Sequence, residues 1–220
     1  MLEFPKASEV NKKVPKESVY RNAEANARLK SLFVEQIEQI WWTNKLTSET
    51  INVAPGEKTT EIDVFEIRRR KPYLDLDILK AFDKSIPRAA LFLLEFEGKY
   101  CAAISYKEVV ERGENVDVKI SEFYMTEPLE RRELPCKIEG LTLDSVYENF
   151  VRQIAGDKLR RGKNSSLKED FLLARECEKI KKKIETIEKQ ARKEVQFRKQ
   201  VEIRAQIKPL LQRLREIEEE

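Results

Sequence analysis

From Leu173 onward the chain sets an apolar side chain at every third or fourth position: Leu173, Cys177, Ile180, Ile184, Ile187 and Ala191. Steps of four, three, four, three and four describe a heptad seam, a strip along a helix that is buried only against another helix. A second block, Ile203, Ile207, Leu210, Leu214 and Ile217, repeats the pattern. Between the blocks, Glu194 and Arg198 take seam positions while Val195 and Phe197 fall off phase, so the two blocks face different directions on a straight helix. Pro209 removes a helical hydrogen bond and is expected to kink the helix just before it. As one helix, 166–206 would run roughly 60 Å, against a radius of gyration of about 15 Å for a globule of the preceding length. Much of it would project, and a projecting apolar seam in water needs a partner. That partner is a second copy of the chain, another protein, or the 207–217 segment returning as a hairpin.

The composition narrows the function classes. Charged residues make up 38% of the 220, well above the usual quarter, and belong on solvated surface. With 43 basic and 40 acidic residues the net charge is +3, so contact with nucleic acid requires a local patch. No apolar stretch is long enough to span a membrane. The opening MLEFPKASEVNKK lacks the apolar core of a secretory signal. Cys101, Cys136 and Cys177 are scattered and form no CxxC pair, which suits a reducing compartment, and a cytoplasmic location is expected. The chain has no histidine. That excludes Ser-His-Asp and Cys-His catalysis and His-ligated zinc. Neither GxxxxGK[ST] nor GxGxxG occurs. No cofactor and no metal are expected.

The 1–156 region reads as a compact mixed α/β domain of the α+β class, with a largely antiparallel or mixed sheet. Residues 1–24 read as an extended arm. Leu29, Phe33, Ile37 and Ile40 recur at helical spacing within 25–39. Trp41-Trp42 favours a strand to Leu46, and Pro55-Gly56 marks a turn. A strand over 60–69 places Ile62, Val64, Glu66 and Arg68 on one face and Asp63, Phe65, Ile67 and Arg69 on the other. Asp75 or Asp77 caps a helix carrying Leu79, Phe82 and Ile86 inward, which Pro87 ends. AALFLLEF and YCAAISYK flank Gly98-Lys99 as a hairpin, and 116–125 alternates through Val116, Val118 and Ile120. Thr142 caps an amphipathic helix with Leu143, Val146, Tyr147, Phe150, Val151 and Ile154 on one stripe and Gly156 at its stop. A basic linker, 157–166, leads to a helical tail over 167–220, a coiled coil or a helical hairpin.

Two patterns carry candidate chemistry. Asp63, Glu66 and Arg68 on one strand, with Glu35 and Glu38 on the preceding helix, resemble the acidic pattern of a D…ExK nuclease, which holds Mg²⁺ for phosphodiester cleavage. Three features oppose it: Arg68 stays protonated where a lysine is needed, Asp63 and Glu66 point to opposite faces, and only two strands precede the central helix where that fold needs three. The plain alternative is a half-buried strand with charged outer positions. The second pattern is two basic runs, Arg68, Arg69, Arg70 and Lys71 followed by Tyr73, and Lys158, Arg160, Arg161 and Lys163 in the linker. Such runs position phosphates, and a tyrosine stacks on a base; the plain alternative is a solvated flank.

The segments FPKASEVNKKVPK, LKSLFVEQIEQIWWTNKL, VFEIRRR, SIPRAALFLLEF, LTLDSVYENFVRQIAG and KEVQFRKQVEIRAQIKPLLQRL resemble the prokaryotic domain of unknown function family DUF4391 across nearly the whole chain. The resemblance implies company with DNA methyltransferases and helicases of restriction-like defence clusters and brings no catalytic residues. The expectation is therefore a non-catalytic accessory protein that binds a protein partner or itself through the C-terminal helix, with a methyltransferase or helicase as the candidate partner and only weak contact with nucleic acid. The alternatives are a divergent metal-dependent nuclease and a stand-alone, sequence-tolerant nucleic-acid binder.

Overall fold

The computed structural model of the chain describes residues 4–23, 26–86, 88–112, 115–159 and 166–219, and their side chains except those of 108–121 and 218–219. The chain divides into two compact units, Met1–Ala155 and Gly156–Glu220.

The first unit is built on a six-stranded sheet in the order β1-β2-β3-β4-β5-β6. The strands are β1 (Glu9–Lys13), β2 (Ile37–Leu46), β3 (Ile62–Arg69), β4 (Ala89–Phe96), β5 (Lys99–Arg112) and β6 (Asn115–Met125). All neighbouring pairs are antiparallel except β3 and β4, which run parallel. A parallel pair cannot be closed by a tight turn and needs a crossover, supplied here by helix α4 (Leu76–Lys84). Preceding it are α1 (Lys16–Asn22), α2 (Ala27–Gln36) and the single turn α3 (Ser48–Ile51), and α5 (Leu143–Ala155) follows the sheet.

Alternation along the strands assigns the two faces. Phe65 and Ile67 of β3, Ala90, Phe92 and Leu94 of β4, and Cys101 and Ala103 of β5 form one core with Phe33 of α2 and Ile78, Leu79 and Phe82 of α4. The intervening residues Ile62, Val64, Leu91, Leu93, Ala102 and Ile104 are also buried, as is the apolar stripe of α5 from Leu143 to Ile154. The sheet is therefore apolar on both faces, the middle layer of a sandwich with α2 and α4 on one side and α5 on the other. Asp75 caps α4, its side chain accepting from Asp77 N at 2.9 Å. At the start of α5, Thr142 Oγ1 accepts from Ser145 N at 3.2 Å.

Several local expectations change. The supposed arm contains β1 and α1: the EVNKK strand has no apolar alternation and exists because it pairs with β2 at the sheet edge. The helical spacing of Ile37 and Ile40 is misleading. Both lie in β2, and a register shift between Ile37 and Gln39 brings residues three apart into one core. Glu38 accordingly lies in a strand, with Glu35 alone on the helix. Three strands precede α4, not two. Helix α4 ends at Lys84; Pro87 lies outside the described residues, as do the side chains of Val116, Val118 and Ile120.

The second unit comprises α6 (Leu167–Lys193), α7 (Phe197–Ala205) and α8 (Ile207–Glu219). The single helix expected over 166–206 is interrupted: Glu194 and Gln196 are extended, at ψ 132° and 114°. Glu194 holds the break, its side chain accepting from Gln196 N at 2.9 Å and its carbonyl from Gln200 Nε2 at 2.7 Å. The break falls where the seam changes phase. Helix α7 ends at Ala205 and α8 begins at Ile207, so the interruption at Gln206 lies just before Pro209, where its missing N–H would have met the Ala205 carbonyl, and the proline falls in the first turn of α8.

Candidate functional site

In the first unit the charged residues on the α4 side of the sheet collect where β3, β4 and β5 meet the end of α4. Lys107 Nζ lies 2.9 Å from Asp83 Oδ1 and donates to the carbonyls of Asp83, Ile86 and Arg88. Ser105 Oγ donates to the other Asp83 oxygen at 2.7 Å. Tyr147 of α5 ties in, its hydroxyl donating to Ser105 O at 2.6 Å and accepting from Lys107 N at 3.2 Å. Burial pushes Asp83 up and Lys107 down, each towards its neutral form, and their mutual attraction opposes both shifts. The lysine thus closes the C-terminal end of α4, where carbonyls outnumber donors.

Beside this pair, Glu61 is bridged by Lys45 at 2.5 Å and by Arg88. Asp63, two residues along and on the same face, is only 3% exposed, and its Oδ1 has no hydrogen-bond partner among the described residues. Burial, reinforced by the adjacent Glu61 carboxylate, pushes the Asp63 carboxyl up to about 6. Glu66 points to the opposite face, where it accepts from Arg131 NH1 at 2.7 Å. Asp63 and Glu66 are therefore not brought together. Among the described residues no group of three or more His, Cys, Asp or Glu side chains is placed to hold a metal ion.

The first basic run is engaged internally. Arg68 pairs with Glu95 at 3.2 Å. Arg69 donates to Pro72 O at 2.9 Å and lies over the Phe96 ring. Arg70 donates to Ile37 O at 3.1 Å. Lys71 pairs with Glu35 at 3.5 Å and lies over Tyr73. The run is thus dispersed, each cation engaged with a different partner. In the second run Lys158 is exposed, while Arg160, Arg161 and Lys163 lie outside the described residues.

In the second unit the seam residues meet each other. Ile180, Leu214 and Ile217 form a buried cluster flanked by Leu173, Cys177, Ile184 and Leu210, and Arg213 of α8 pairs with Glu176 of α6 at 2.8 Å. Helices α6 and α8 make a hairpin. Ile187 and Ala191 are buried as well, and Ile203 and Ile207 are half-buried. The seam therefore needs no outside helix, a correction to the projecting reading: the chain reverses near 194–206 and supplies its own partner. The large apolar side chains that stay exposed are off the seam: Val195 at 93%, Phe197 at 78%, Val201 at 52%, Leu172 at 51% and Leu211 at 44%. Residues of α6, α7 and α8 also line an open cavity of about 640 Å³, among them Arg192, Arg204, Lys208 and Arg215.

Sequence reading missed both the Asp83–Lys107 pair and this basic cavity. Asp83 left one legible signal, a carboxylate next to Phe82 on a helix read as carrying Leu79 and Phe82 inward. The cavity left none, because its cations are spread over three helices.

The described residues form a two-faced α/β sandwich followed by a helical hairpin with an exposed elbow. The chain belongs to the family Domain of unknown function (DUF4391), whose model matches residues 2–214. No curated protein and no solved structure matches it. No helix among the described residues is long and apolar enough to cross a membrane.

Proposed function

We propose that the chain is a non-catalytic accessory protein whose helical tail makes contact with the machinery it serves, a DNA methyltransferase or helicase of a restriction-like defence system. The observation that supports it most is the engagement of the charged groups a reaction would need. Lys107 is held by a carboxylate and three carbonyls, Glu61 by two cations, and Glu66 by Arg131. The tail, by contrast, leaves apolar side chains in water at its elbow, which suits contact with a partner. The test is co-expression of the full chain with the candidate methyltransferase and helicase, followed by size-exclusion chromatography. A complex weakened by Val195→Asp with Val201→Asp is expected; separate elution of all components overturns the reading.

One observation favours a second reading, a divergent metal-dependent nuclease. Three strands precede α4, β4 returns parallel to β3, and a buried carboxylate oxygen without a partner sits on Asp63 beside Glu61. Cleavage of DNA by the purified chain in Mg²⁺ or Mn²⁺, lost in Asp63→Asn, is the outcome that selects it.

A further inference from the structure

The cavity among α6, α7 and α8 brings four cations to one place. Arg192 comes from α6, Arg204 from α7, and Lys208 and Arg215 from α8. One carboxylate, Glu188, shares the lining and lies 3.7 Å from Arg192. Arg204, Lys208 and Arg215 make no side-chain hydrogen bond or ion pair with a described residue. Like charges held around one cavity repel, and an anion between them removes the repulsion. Three of the four cations are guanidiniums, whose planar fork matches a phosphate in two-point contact. Ile207 and Leu211 give the same cavity an apolar lining. Its volume, about 640 Å³, falls inside the range of roughly 300–1,000 Å³ typical of small-molecule sites.

Which anion fits is decided by Phe197. It is 78% exposed and lies seven residues before Arg204 on α7. Two helical turns put both on one face, about 10 Å apart along the axis. The charges of an acidic peptide have no use for a bare ring two helical turns from a cation row. An unpaired nucleic-acid strand does, because its bases stack on aromatic rings while Arg and Lys track the phosphates. A duplex has its bases already stacked and leaves the ring idle. We propose that this tail cavity, with Phe197 at its approach, binds the phosphate backbone of single-stranded nucleic acid without sequence preference. The inference rests on the tail being the contact element of an accessory protein, and adds a nucleic-acid contact to the protein one.

The test uses the purified full chain and a fluorescein-labelled oligothymidylate of about 16 nucleotides, a length within the range covered by single-strand binders. Fluorescence anisotropy at low salt is expected to show saturable binding. Arg204→Gln with Lys208→Gln and Arg215→Gln should weaken it at least tenfold and lower the log–log salt slope by about 2, at about 0.7 for each phosphate left without its cation. Phe197→Ala should weaken it about tenfold and leave that slope unchanged, because a stacking loss carries no counterions. Circular dichroism of each variant checks that the tail helices persist; the four residues are exposed or half-exposed, so they should. No binding by the wild-type chain overturns the inference, as does equal binding by the triple variant, or displacement of the oligonucleotide by polyglutamate as readily as by unlabelled oligothymidylate. Failure here with an intact methyltransferase or helicase complex sinks the nucleic-acid assignment alone, whereas metal-dependent cleavage of the probe sinks the accessory reading itself.

Discussion

Lys107 Nζ lies 2.9 Å from Asp83 Oδ1, with the aspartate side chain fully enclosed and the lysine side chain 7% exposed. The ammonium also takes three carbonyls, those of Asp83, Ile86 and Arg88, so it ties the end of the crossover helix and the segment leading into β4 to the neighbouring strand β5. Removing one member leaves the other charge buried without its partner. Lys107→Ala is therefore expected to cost about 3–5 kcal/mol, read from urea denaturation. The double change with Asp83→Ala should cost less than the sum of the two single changes. Strict additivity would show that the pair is not coupled.

Asp63 is a different case, a carboxyl that folding disfavours in its charged form. Its folded value, about 6, lies above the ordinary 3.8. The folded state thus binds the proton more tightly, and the penalty is absent at low pH, grows as pH rises between the two values, and is constant above the higher one. Asp63→Asn should stabilise the protein by about 1–2 kcal/mol above that window, and by much less below it. Thermal melts at either end of the window test this. A variant that is less stable at high pH would mean that the Asp63 charge is needed by the fold.

Asp144 works in the opposite sense. Its carboxylate accepts from Glu57 N at 2.7 Å, Thr59 N at 2.6 Å and Lys58 N at 3.2 Å. Burial raises the carboxyl, but these bonds outweigh it and hold it below its usual range. The stabilisation is present above the unfolded value and is lost as pH falls through the folded one. Gly56 permits the arrangement, since a Cβ there would meet Thr59 O at 2.5 Å and Asp144 Oδ1 at 2.7 Å. Asp144→Ala should cost about 1–3 kcal/mol at neutral pH, and the difference from wild type should shrink in acid.

The tail seam gives a further test. Ile180 packs with Leu214 and Ile217, and Ile184 flanks them. Ile180→Ser with Ile184→Ser and Ile187→Ser should open the hairpin, because each fully buried isoleucine contributes about 1.5–3 kcal/mol relative to exposure. Circular dichroism should lose helix while light scattering shows an unchanged molecular mass. A fall in mass instead would show that the seam joins two copies.

What was legible in the sequence was whatever repeats along it. The β3–α4–β4 crossover, the β4–β5 hairpin and α5 follow from apolar period and turn residues within a few positions of each other. The strand β1 was not legible, because EVNKK becomes a strand only through its edge pairing with β2. Ile37 and Ile40 misled because a bulge imitates helical spacing. The tail's phase shift was visible and kept a returning second block among three possible partners, but periodicity alone did not choose between them. The Asp83–Lys107 pair and the four-cation cavity are tertiary encounters, joining residues from different elements with no periodic trace.

The central claim, an accessory protein whose tail makes the contact, is tested most directly by purifying the tagged full chain from cells that also express the candidate methyltransferase and helicase. The expected result is recovery of one or both in fixed ratio, reduced by Val195→Asp with Val201→Asp, and no cleavage of single- or double-stranded DNA by the isolated chain in Mg²⁺ or Mn²⁺. Cleavage that disappears in Asp63→Asn, or a complex indifferent to the elbow variant, would contradict it.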